Sequence, residues 1–288
     1  MLSEVDILNR IIVDRNDIIF NYLRDKLTYK SKNNIKSLLK NKCIYVNNVM
    51  VDKYDYRVNV GDVIVFNKDR DDNFNLKIIY EDDNIIVIDK PSGILTISNN
   101  NEKVNTLYRR VSDYLKRYNK KVFIVHRLDV DTSGVILFAK NQRVQKLYQD
   151  NWNSLAKRRE YTAIVEGVCD NAGHIESYLK QTKTLLVYSS KNKDGLFSIT
   201  DYEKICDNGK YSMLRILIST GRRNQIRCHM HDINHPILGD SRYKAKDNPI
   251  NRLCLHANRL DIINPITNDI MVFNSDIPKE FYKVMKNK

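Results

Sequence analysis

The chain has 288 residues, 42% of them hydrophobic and 29% charged, which is the balance of a folded globular protein and excludes a disordered chain. Its 48 Lys and Arg against 35 Asp and Glu give a net charge of +13, so a polyanion such as nucleic acid is the expected partner. The length favours one large domain joined to a small one, and the apolar runs are too short to cross a bilayer.

The N-terminal composition and the cysteines indicate the compartment. The first ten residues are acidic where a secretory signal would be basic and then apolar. Five cysteines form an odd set without a CxxC pair, which predicts neither a disulfide framework nor a cysteine metal site. We therefore expect a reduced, cytoplasmic protein.

Residues 17–66 are predicted to form a compact unit. Apolar residues recur at helical spacing up to Leu27 and again around Ile35, which predicts two short helices. The stretches CIYVNNVMV and YRVNVGDVIVF then alternate in the manner of strands, and Asn47 and Asn48 can adopt the positive φ of a tight hairpin turn.

Lysines of this unit fall largely at four-residue spacings, so several project from the same sides of the two helices. Such a positive ridge is suited to following phosphates, and a merely solvated helix face is the alternative. The ridge contains Lys32 and four candidate RNA contacts, Lys26, Lys30, Lys36 and Lys40.

The order of these elements resembles the small RNA-binding module named after ribosomal small-subunit protein S-four. It consists of two helices followed by a strand, a turn and a strand that ends in VNVGDVI (58–64). The resemblance implies an RNA-binding domain of αα-β type, predicted over residues 1–70 with an N-terminal extension. Lys42 and Asn48 stand where that family usually has glycine, and Lys42 at a helix end bears on the turn geometry.

A polar, acidic stretch, NKDRDDNFN at 67–75, is predicted to be a linker. Apolar, β-rich runs then alternate with helical segments at 105–118 and 143–152, which indicates a mixed sheet flanked by helices. We therefore predict an α+β protein in which residues 71–288 form the larger catalytic domain.

The segment VFIVHRLDVDTSGVILFAK, 122–140, contains two short apolar runs that bracket HRLDVDTSG. A buried strand is predicted to lead into a loop and another to lead out, which places Asp129 on a rigidly supported loop. Asp-x-x-Thr-Ser-Gly is also ordinary turn chemistry, so spacing alone leaves a purely turn-forming role for Asp129 open.

HRLDVDTSG matches every fixed position of HRLDxxTSG, the signature of the RluA family of pseudouridine synthases, and the chain resembles that family from about residue 76 to 285. At 222–225, where the family usually has Arg-Thr-His-Gln, this chain has Arg-Arg-Asn-Gln. Other similar segments follow in the family's order: DKPSGIL (89–95), RREYTAIVEG (158–167), TGRRNQIRCHM (220–230), HPILGD (235–240) and LHANRL (255–260).

This resemblance implies a mainly antiparallel sheet and an RNA isomerase that needs no cofactor and no metal. It implies Asp129 as the catalytic aspartate, Tyr161 as an active-site tyrosine and Arg227 as the arginine that pairs with Asp129. Such an arginine would lower the carboxylate pKa by about 1 to 3 units and keep it charged. Arg127 is a candidate to hold the RNA open or to contact a phosphate. Attack by Asp129 on the sugar, attack on the base and removal of a sugar proton all stay open as mechanisms.

The expected partner is structured RNA, without a membrane and without an obligate protein partner. Ribosomal RNA is preferred to transfer RNA, because an N-terminal RNA-binding module resembles the arrangement in family members that act on large-subunit ribosomal RNA.

Three alternatives are open. A metal site could use His229, His231 and His235, although no cysteine or acidic set completes a ligand pattern. The chain could be a non-catalytic RNA-binding or ribosome-assembly protein. A carboxylate-based RNA hydrolase would need a second acid, for which the motif offers only Asp131.

Overall fold

The structure is a computed structural model that describes residues 10–28, 31–40, 43–66, 76–98 and 105–286. The chain divides into two compact units, residues 1–75 and 76–288. The predicted boundary at 70/71, the predicted linker at 67–75, Lys30 and Lys42 all lie outside the described residues. Within the described part, no helix is long and apolar enough to cross a membrane.

The described part of the first unit contains the two predicted helices, α1 (Ile19–Lys26) and α2 (Lys32–Lys40). Their apolar faces bury Tyr22, Leu23 and Leu39 against the strands. One apolar position does not follow the predicted pattern: Ile18 precedes α1, pairs with Arg57 as a short strand and is exposed. The strands are β1 (Arg10–Ile12), β2 (Asp17–Ile18), β3 (Ile44–Val46), β4 (Val49–Met50), β5 (Arg57–Val58) and β6 (Val63–Phe66), with sheet orders β1-β6-β3-β4 and β2-β5.

Strands β3 and β4 form the predicted hairpin. Asn47 and Asn48 have φ angles of 49° and 67°, the left-handed conformation that asparagine tolerates better than most residues. The Asn47 side-chain amide donates to Asp62 Oδ1 at 2.8 Å, and its Oδ1 accepts from the Val63 N–H at 2.9 Å. The hairpin turn is therefore tied to the VGD segment.

In the second unit, the described residues form one eleven-stranded sheet with the path β13-β12-β14-β15-β11-β16-β10-β8-β7, while β17 pairs with β16 and β9 with β10. Only β10 and β16 run parallel within this described sheet, so the predicted mixed, mainly antiparallel sheet is confirmed. The strands are β7 (Ile78–Glu81), β8 (Ile85–Lys90), β9 (Phe123–Ile124), β10 (Ser133–Ala139), β11 (Ala156–Glu166), β12 (Ala172–Gln181), β13 (Val187–Ser190), β14 (Leu196–Asp207), β15 (Tyr211–Ile218), β16 (Leu255–Ile263) and β17 (Ile270–Asn274).

Helices flank this sheet, as predicted. The helix predicted at 105–118 is shorter than expected, because Thr106 caps it by accepting a hydrogen bond from the Arg109 N–H at 3.2 Å. Asn141 caps the next helix in the same way, accepting from Val144 at 2.9 Å. The helices are α3 (Leu107–Lys116), α4 (Gln142–Asp150), α5 (Trp152–Leu155), α6 (Gln225–Asp232) and α7 (Lys279–Lys286).

The parallel contact between β10 and β16 explains the glycine that ends HRLDVDTSG. Gly134 pairs with Ala257 and has a φ of 111°, which side-chain-bearing residues rarely adopt. A Cβ atom at position 134 would lie 2.1 Å from the Ala257 carbonyl oxygen. Only glycine therefore lets the strand leave the Asp129 loop so close to β16.

Candidate active site

The loop between β9 and β10 brings Asp129 to the wall of a cavity of about 150 Å³. Tyr161 from β11 and Arg227 from α6 line the same cavity, as does Arg127. The structure thus brings together the four predicted site residues of the second unit. The volume suits a small planar group, since pockets for drug-sized ligands measure about 300–1,000 Å³.

The Asp129 loop is held by the segment 90–96, which overlaps DKPSGIL (89–95). Side chains of that segment donate hydrogen bonds to four backbone carbonyl groups of the loop, those of residues 128, 130, 131 and 132. This support was not predicted from the sequence. The bonds run from Lys90 Nζ to Val130 O (2.9 Å) and Thr132 O (2.7 Å), from Ser92 Oγ to Asp131 O (2.7 Å), and from Thr96 Oγ1 to Leu128 O (2.8 Å).

Lys90 is fully buried and also donates to the Pro91 carbonyl at 3.1 Å. Burial lowers the pKa of its ammonium group to about 7, against the raising effect of the Asp131 and Asp129 carboxylates. The three carbonyl acceptors match the three N–H donors of the charged form. The charged form of Lys90 is therefore the one that holds the loop completely.

His126, the first residue of HRLDVDTSG, supports the loop from the other side. Its Nε2 accepts a hydrogen bond from the Leu137 N–H at 3.0 Å, and its ring stacks on Trp152 with centroids 4.5 Å apart. Burial lowers the pKa of His126 to about 3. The imidazole is consequently neutral at physiological pH and positions β10 instead of carrying charge.

The environment of Asp129 differs from the prediction. Burial raises the pKa of the Asp129 carboxyl group above its ordinary value, although Arg227, Arg127, Arg223 and Lys90 act in the opposite direction. The predicted net lowering is therefore wrong, because the loss of hydration outweighs the surrounding positive charges. Asp129 is nevertheless half-buried at the cavity wall, where a substrate can reach it.

The predicted pairing of Arg227 with Asp129 stays a prediction: Arg227 acts electrostatically on the Asp129 carboxyl group, but its direct ion pair is with another carboxylate. The guanidinium group of Arg227 instead pairs with Asp240, from Nε to Oδ2 at 2.6 Å and from Nη2 to Oδ1 at 2.7 Å, and both side chains are buried. Nη1 donates to Asn224 Oδ1 at 3.2 Å. These bonds use three of the five N–H donors of Arg227, which lines the cavity.

Tyr161 lies on the wall of the cavity. Burial raises the pKa of its phenol to about 12, a change that Arg159 opposes and Asp129 reinforces. Tyr161 therefore stays protonated at physiological pH and presents a neutral ring and an O–H group.

Arginines surround the mouth of the cavity. Arg127, Arg222 and Arg223 line it and are exposed to solvent. Exposed guanidinium groups at the edge of a cavity attract anions and can hold phosphate groups in a bidentate manner. The site therefore combines a positive rim with a carboxylate and an aromatic ring inside.

A family model described as RNA pseudouridylate synthase matches residues 84–232. The chain belongs to this family. Ribosomal large subunit pseudouridine synthase D of Borreliella burgdorferi is 36% identical over 229 residues, which cover 76% of this chain and 70% of the relative. tRNA pseudouridine synthase C of Haemophilus ducreyi is 33% identical over 212 residues, covering 67% and 87%. The resemblance to RluA-type synthases is confirmed, and the protein is an RNA pseudouridine synthase, an isomerase.

The fold of the synthase agrees with that of a solved relative. Human RNA pseudouridylate synthase domain containing 4 superposes with a TM-score of 0.58 at 19% identity, covering 71% of this chain and 90% of that one. This similarity supports the α+β architecture with its large mixed sheet.

The synthase departs from the usual family sequence at Asn224, which stands in place of histidine. Asn224 is buried at the start of α6 with a φ of 50° and accepts the hydrogen bond from Arg227. The adjacent Gln225 accepts from Thr220 Oγ1 at 2.8 Å and donates to the Ile199 carbonyl at 2.8 Å. The changed sequence therefore still anchors both the loop and Arg227.

The three histidines of the synthase considered for a metal site have separate partners. His229 is bonded to Thr200 at 2.9 Å and Ser177 at 2.8 Å, and His235 Nδ1 lies 2.7 Å from the Glu166 carbonyl. His231 packs against the Tyr243 ring with centroids 6.0 Å apart. Across the described residues, no group of three His, Cys, Asp or Glu could hold a metal ion.

The candidate RNA contacts of the first unit differ in their surroundings. Lys26 pairs with Asp14 and lies 5.7 Å from the Tyr22 ring centroid. Lys36 lies over the Phe20 ring at 5.8 Å, and Lys40 is exposed at the end of α2. Lys26 is thus partly neutralised, whereas Lys36 and Lys40 present their charges to solvent.

Proposed function

We propose that this synthase converts specific uridines in structured RNA to pseudouridine, with Asp129 as the catalytic carboxylate and without a cofactor. The observation that carries the proposal is the convergence of Asp129, Tyr161 and Arg227 on one small cavity with an arginine-lined mouth. Family membership argues against the two competing functions, a non-catalytic RNA-binding protein and an RNA hydrolase.

The reaction itself is an isomerisation. The glycosidic C–N bond of uridine breaks, the uracil turns, and a bond forms between its C5 and the same ribose carbon while the C5 proton leaves and the freed N1 gains a proton. Atoms and electrons balance within the nucleotide, so no redox partner, nucleotide or metal is required. In this proposal Asp129 acts on the ribose or the base in its ionised form, and each of the three routes considered above uses that carboxylate.

Tyr161 and Arg227 have complementary roles in this proposal. The neutral ring of Tyr161 offers a face on which the uracil can stack, and its hydroxyl group can lie near the C5 proton. Arg227, oriented by Asp240, lines the cavity and has two N–H donors not used by Asp240 or Asn224, which in this proposal bind the base. Both residues then favour one orientation of the base beside Asp129.

The uridine must leave its base stack to enter the cavity, which costs a few kcal/mol. Arg127 lies at the mouth, two residues before Asp129, and is exposed. We propose that its side chain takes the place of the extruded base or contacts the neighbouring phosphate, so that this cost is offset.

Large-subunit ribosomal RNA is the substrate class that we favour. The relative from Borreliella burgdorferi is called a ribosomal large subunit pseudouridine synthase. The proposal also takes the first unit, with its lysines on α2, as the S-four type RNA-binding module that its sequence resembles. Transfer RNA is the second candidate, because the relative from Haemophilus ducreyi is called a tRNA pseudouridine synthase. Action on either RNA places the protein in the cytoplasm in this proposal.

Mapping pseudouridines in total RNA from cells with and without the protein tests this function. We expect one or a few sites in large-subunit ribosomal RNA to lose pseudouridine without the protein and to regain it when wild-type protein is supplied, but not the Asp129→Asn variant. If pseudouridine is lost only from transfer RNA, then transfer RNA replaces ribosomal RNA as the substrate class. An unchanged map in both RNA classes would contradict the proposal.

A further inference from the structure

A second groove lies in the catalytic unit beside α3, the turn that follows it and β9. Its volume is about 290 Å³. Tyr108 and Phe123 contribute aromatic surface to the groove, and the exposed side chains of Lys116, Lys120 and Lys121 also line it. An apolar floor beside several ammonium groups fits a ligand that is both flat and negatively charged.

The positive charge of this region is concentrated. Residues 109–121 contain six Arg and Lys and one acidic residue, Asp113. Lys116 lies 3.6 Å from Asp113, and Lys120 lies 2.9 Å from Asp83, which is itself 93% exposed. Exposed pairs of this kind contribute little and exchange readily with a competing anion such as a phosphate.

The groove is close to the candidate active site along the chain. Ile124, which lines the groove, precedes Arg127, which lines the catalytic cavity, by three residues. Three residues span at most about 11 Å even when fully extended. An RNA strand with one nucleotide in the cavity can therefore reach the groove within a few nucleotides.

We propose that this groove binds the RNA strand that flanks the target uridine, with phosphates on Lys116, Lys120 and Lys121 and an unpaired base against Tyr108 or Phe123. Lysines that track the backbone and aromatic rings that stack on bases are the combination by which proteins bind single-stranded RNA. The proposal deepens the function proposed above and rests on its RNA substrate.

A charge-matched pair of triple variants tests the groove. The first is Lys116→Ala/Lys120→Ala/Lys121→Ala, and the control is Lys279→Ala/Lys283→Ala/Lys286→Ala, which removes three exposed lysines from α7. Binding of an unmodified large-subunit ribosomal RNA transcript is measured over a range of salt concentrations, together with single-turnover pseudouridine formation at saturating RNA.

We expect the groove variant to bind RNA at least about tenfold more weakly than the control. The slope of its log affinity against log salt should be shallower by about 2 to 3, because three phosphate contacts are lost. Its single-turnover rate should stay within about threefold of wild type, since no cavity residue is changed. In addition, Tyr108→Leu should weaken binding about fivefold or more without changing the salt slope, because it removes a stacking ring and no charge.

Equal RNA affinities and equal salt slopes in the two triple variants would overturn the proposal that the groove binds RNA. Its lysines would then be an ordinary solvated surface. A rate loss at saturating RNA in the groove variant, with unchanged binding, would also overturn it. Failure of the proposed function is a separate result: wild-type protein would then form no pseudouridine in either ribosomal or transfer RNA, whatever the binding comparison gives.

Discussion

Asp240, three residues before Tyr243, holds the guanidinium group of Arg227 by two hydrogen bonds in a buried, bidentate pair. Asp240 Oδ1 also accepts from the Tyr243 N–H at 3.3 Å, so the carboxylate is fixed at both ends. The pair places a fully oriented arginine beside Asp129 while most of its charge is balanced by Asp240. Asp129 therefore lies near a cation that does not neutralise it directly.

Replacing Arg227 by lysine should cost far more than a charge-conserving change normally does. A single ammonium group cannot reproduce the fork that contacts both oxygens of Asp240 and also reaches Asn224. We expect the single-turnover rate to fall at least about tenfold, or ~1.4 kcal/mol. Arg215→Lys, at an exposed arginine paired with Glu203, is the control and should be neutral. Equal rates for both variants would remove Arg227 from the reaction.

Replacing Asp240 by asparagine should shift the pH profile in a defined direction. Asp129 acts deprotonated and its pKa is raised by burial, so wild-type activity should fall with decreasing pH at a midpoint above that of an exposed aspartate. Without the Asp240 charge, Arg227 acts more strongly on Asp129, whose pKa falls. The acid limb of kcat/KM should therefore move to lower pH, while the maximal rate also falls because the fork is loosened.

The same variant should lose stability, because removing one partner of a buried ion pair costs about 3–5 kcal/mol. Glu81→Gln is the matched control, since Glu81 pairs with the buried Lys140 at 2.6 Å outside the cavity. The control should lower the thermal midpoint without moving the acid limb. An unmoved acid limb in folded Asp240→Asn protein would show that Asp240 does not act on Asp129 through Arg227.

Lys90 should impose an alkaline limit on activity. Its pKa is lowered to about 7 by burial, so Lys90 loses its proton as the pH rises through that value, and the neutral amine can donate to only two of the three carbonyls. Activity should decline above pH 7 as the loop loosens. Lys90→Met should be less active at all pH values and should lack this limb. A wild-type profile that is flat from pH 7 to 9 would contradict this role.

Much of the fold followed from local sequence pattern. Helical spacing predicted α1 and α2, and the apolar runs around HRLDVDTSG predicted strands that bracket the loop. The cavity members Asp129, Tyr161 and Arg227 came from a family resemblance that names residues without giving their distances. These predictions needed only short-range pattern or motif identity.

The parts that were missed depend on contacts between distant segments. Lys90 is buried because carbonyl groups about forty residues later in the chain accept its hydrogen bonds, and no local pattern encodes that. The choice of Arg227 between Asp129 and Asp240 likewise depends on where the 235–240 segment packs. The pKa of Asp129 was predicted with the wrong sign because the extent of its burial is not visible in the sequence.

Deleting residues 1–75 should weaken RNA binding and spare the chemistry. The deletion ends where the first compact unit ends, so the core of the second unit is retained. Removing its lysines should reduce the salt slope by roughly one unit or slightly less for each lost phosphate contact. At saturating RNA, the rate should stay within about tenfold of full length. Equal affinity and an unchanged salt slope would show that the first unit does not engage RNA.

The most direct test of the central claim is the single-turnover rate of Asp129→Asn with RNA that wild-type protein modifies. Asparagine is nearly isosteric with aspartate but supplies no negative charge, so the fold, the thermal midpoint and RNA affinity should be close to those of wild type. We expect the rate to fall at least about a thousandfold, which corresponds to ~4 kcal/mol of transition-state stabilisation. A purified, folded variant that converts uridine at a rate close to wild type would contradict the assignment of Asp129 as the catalytic carboxylate.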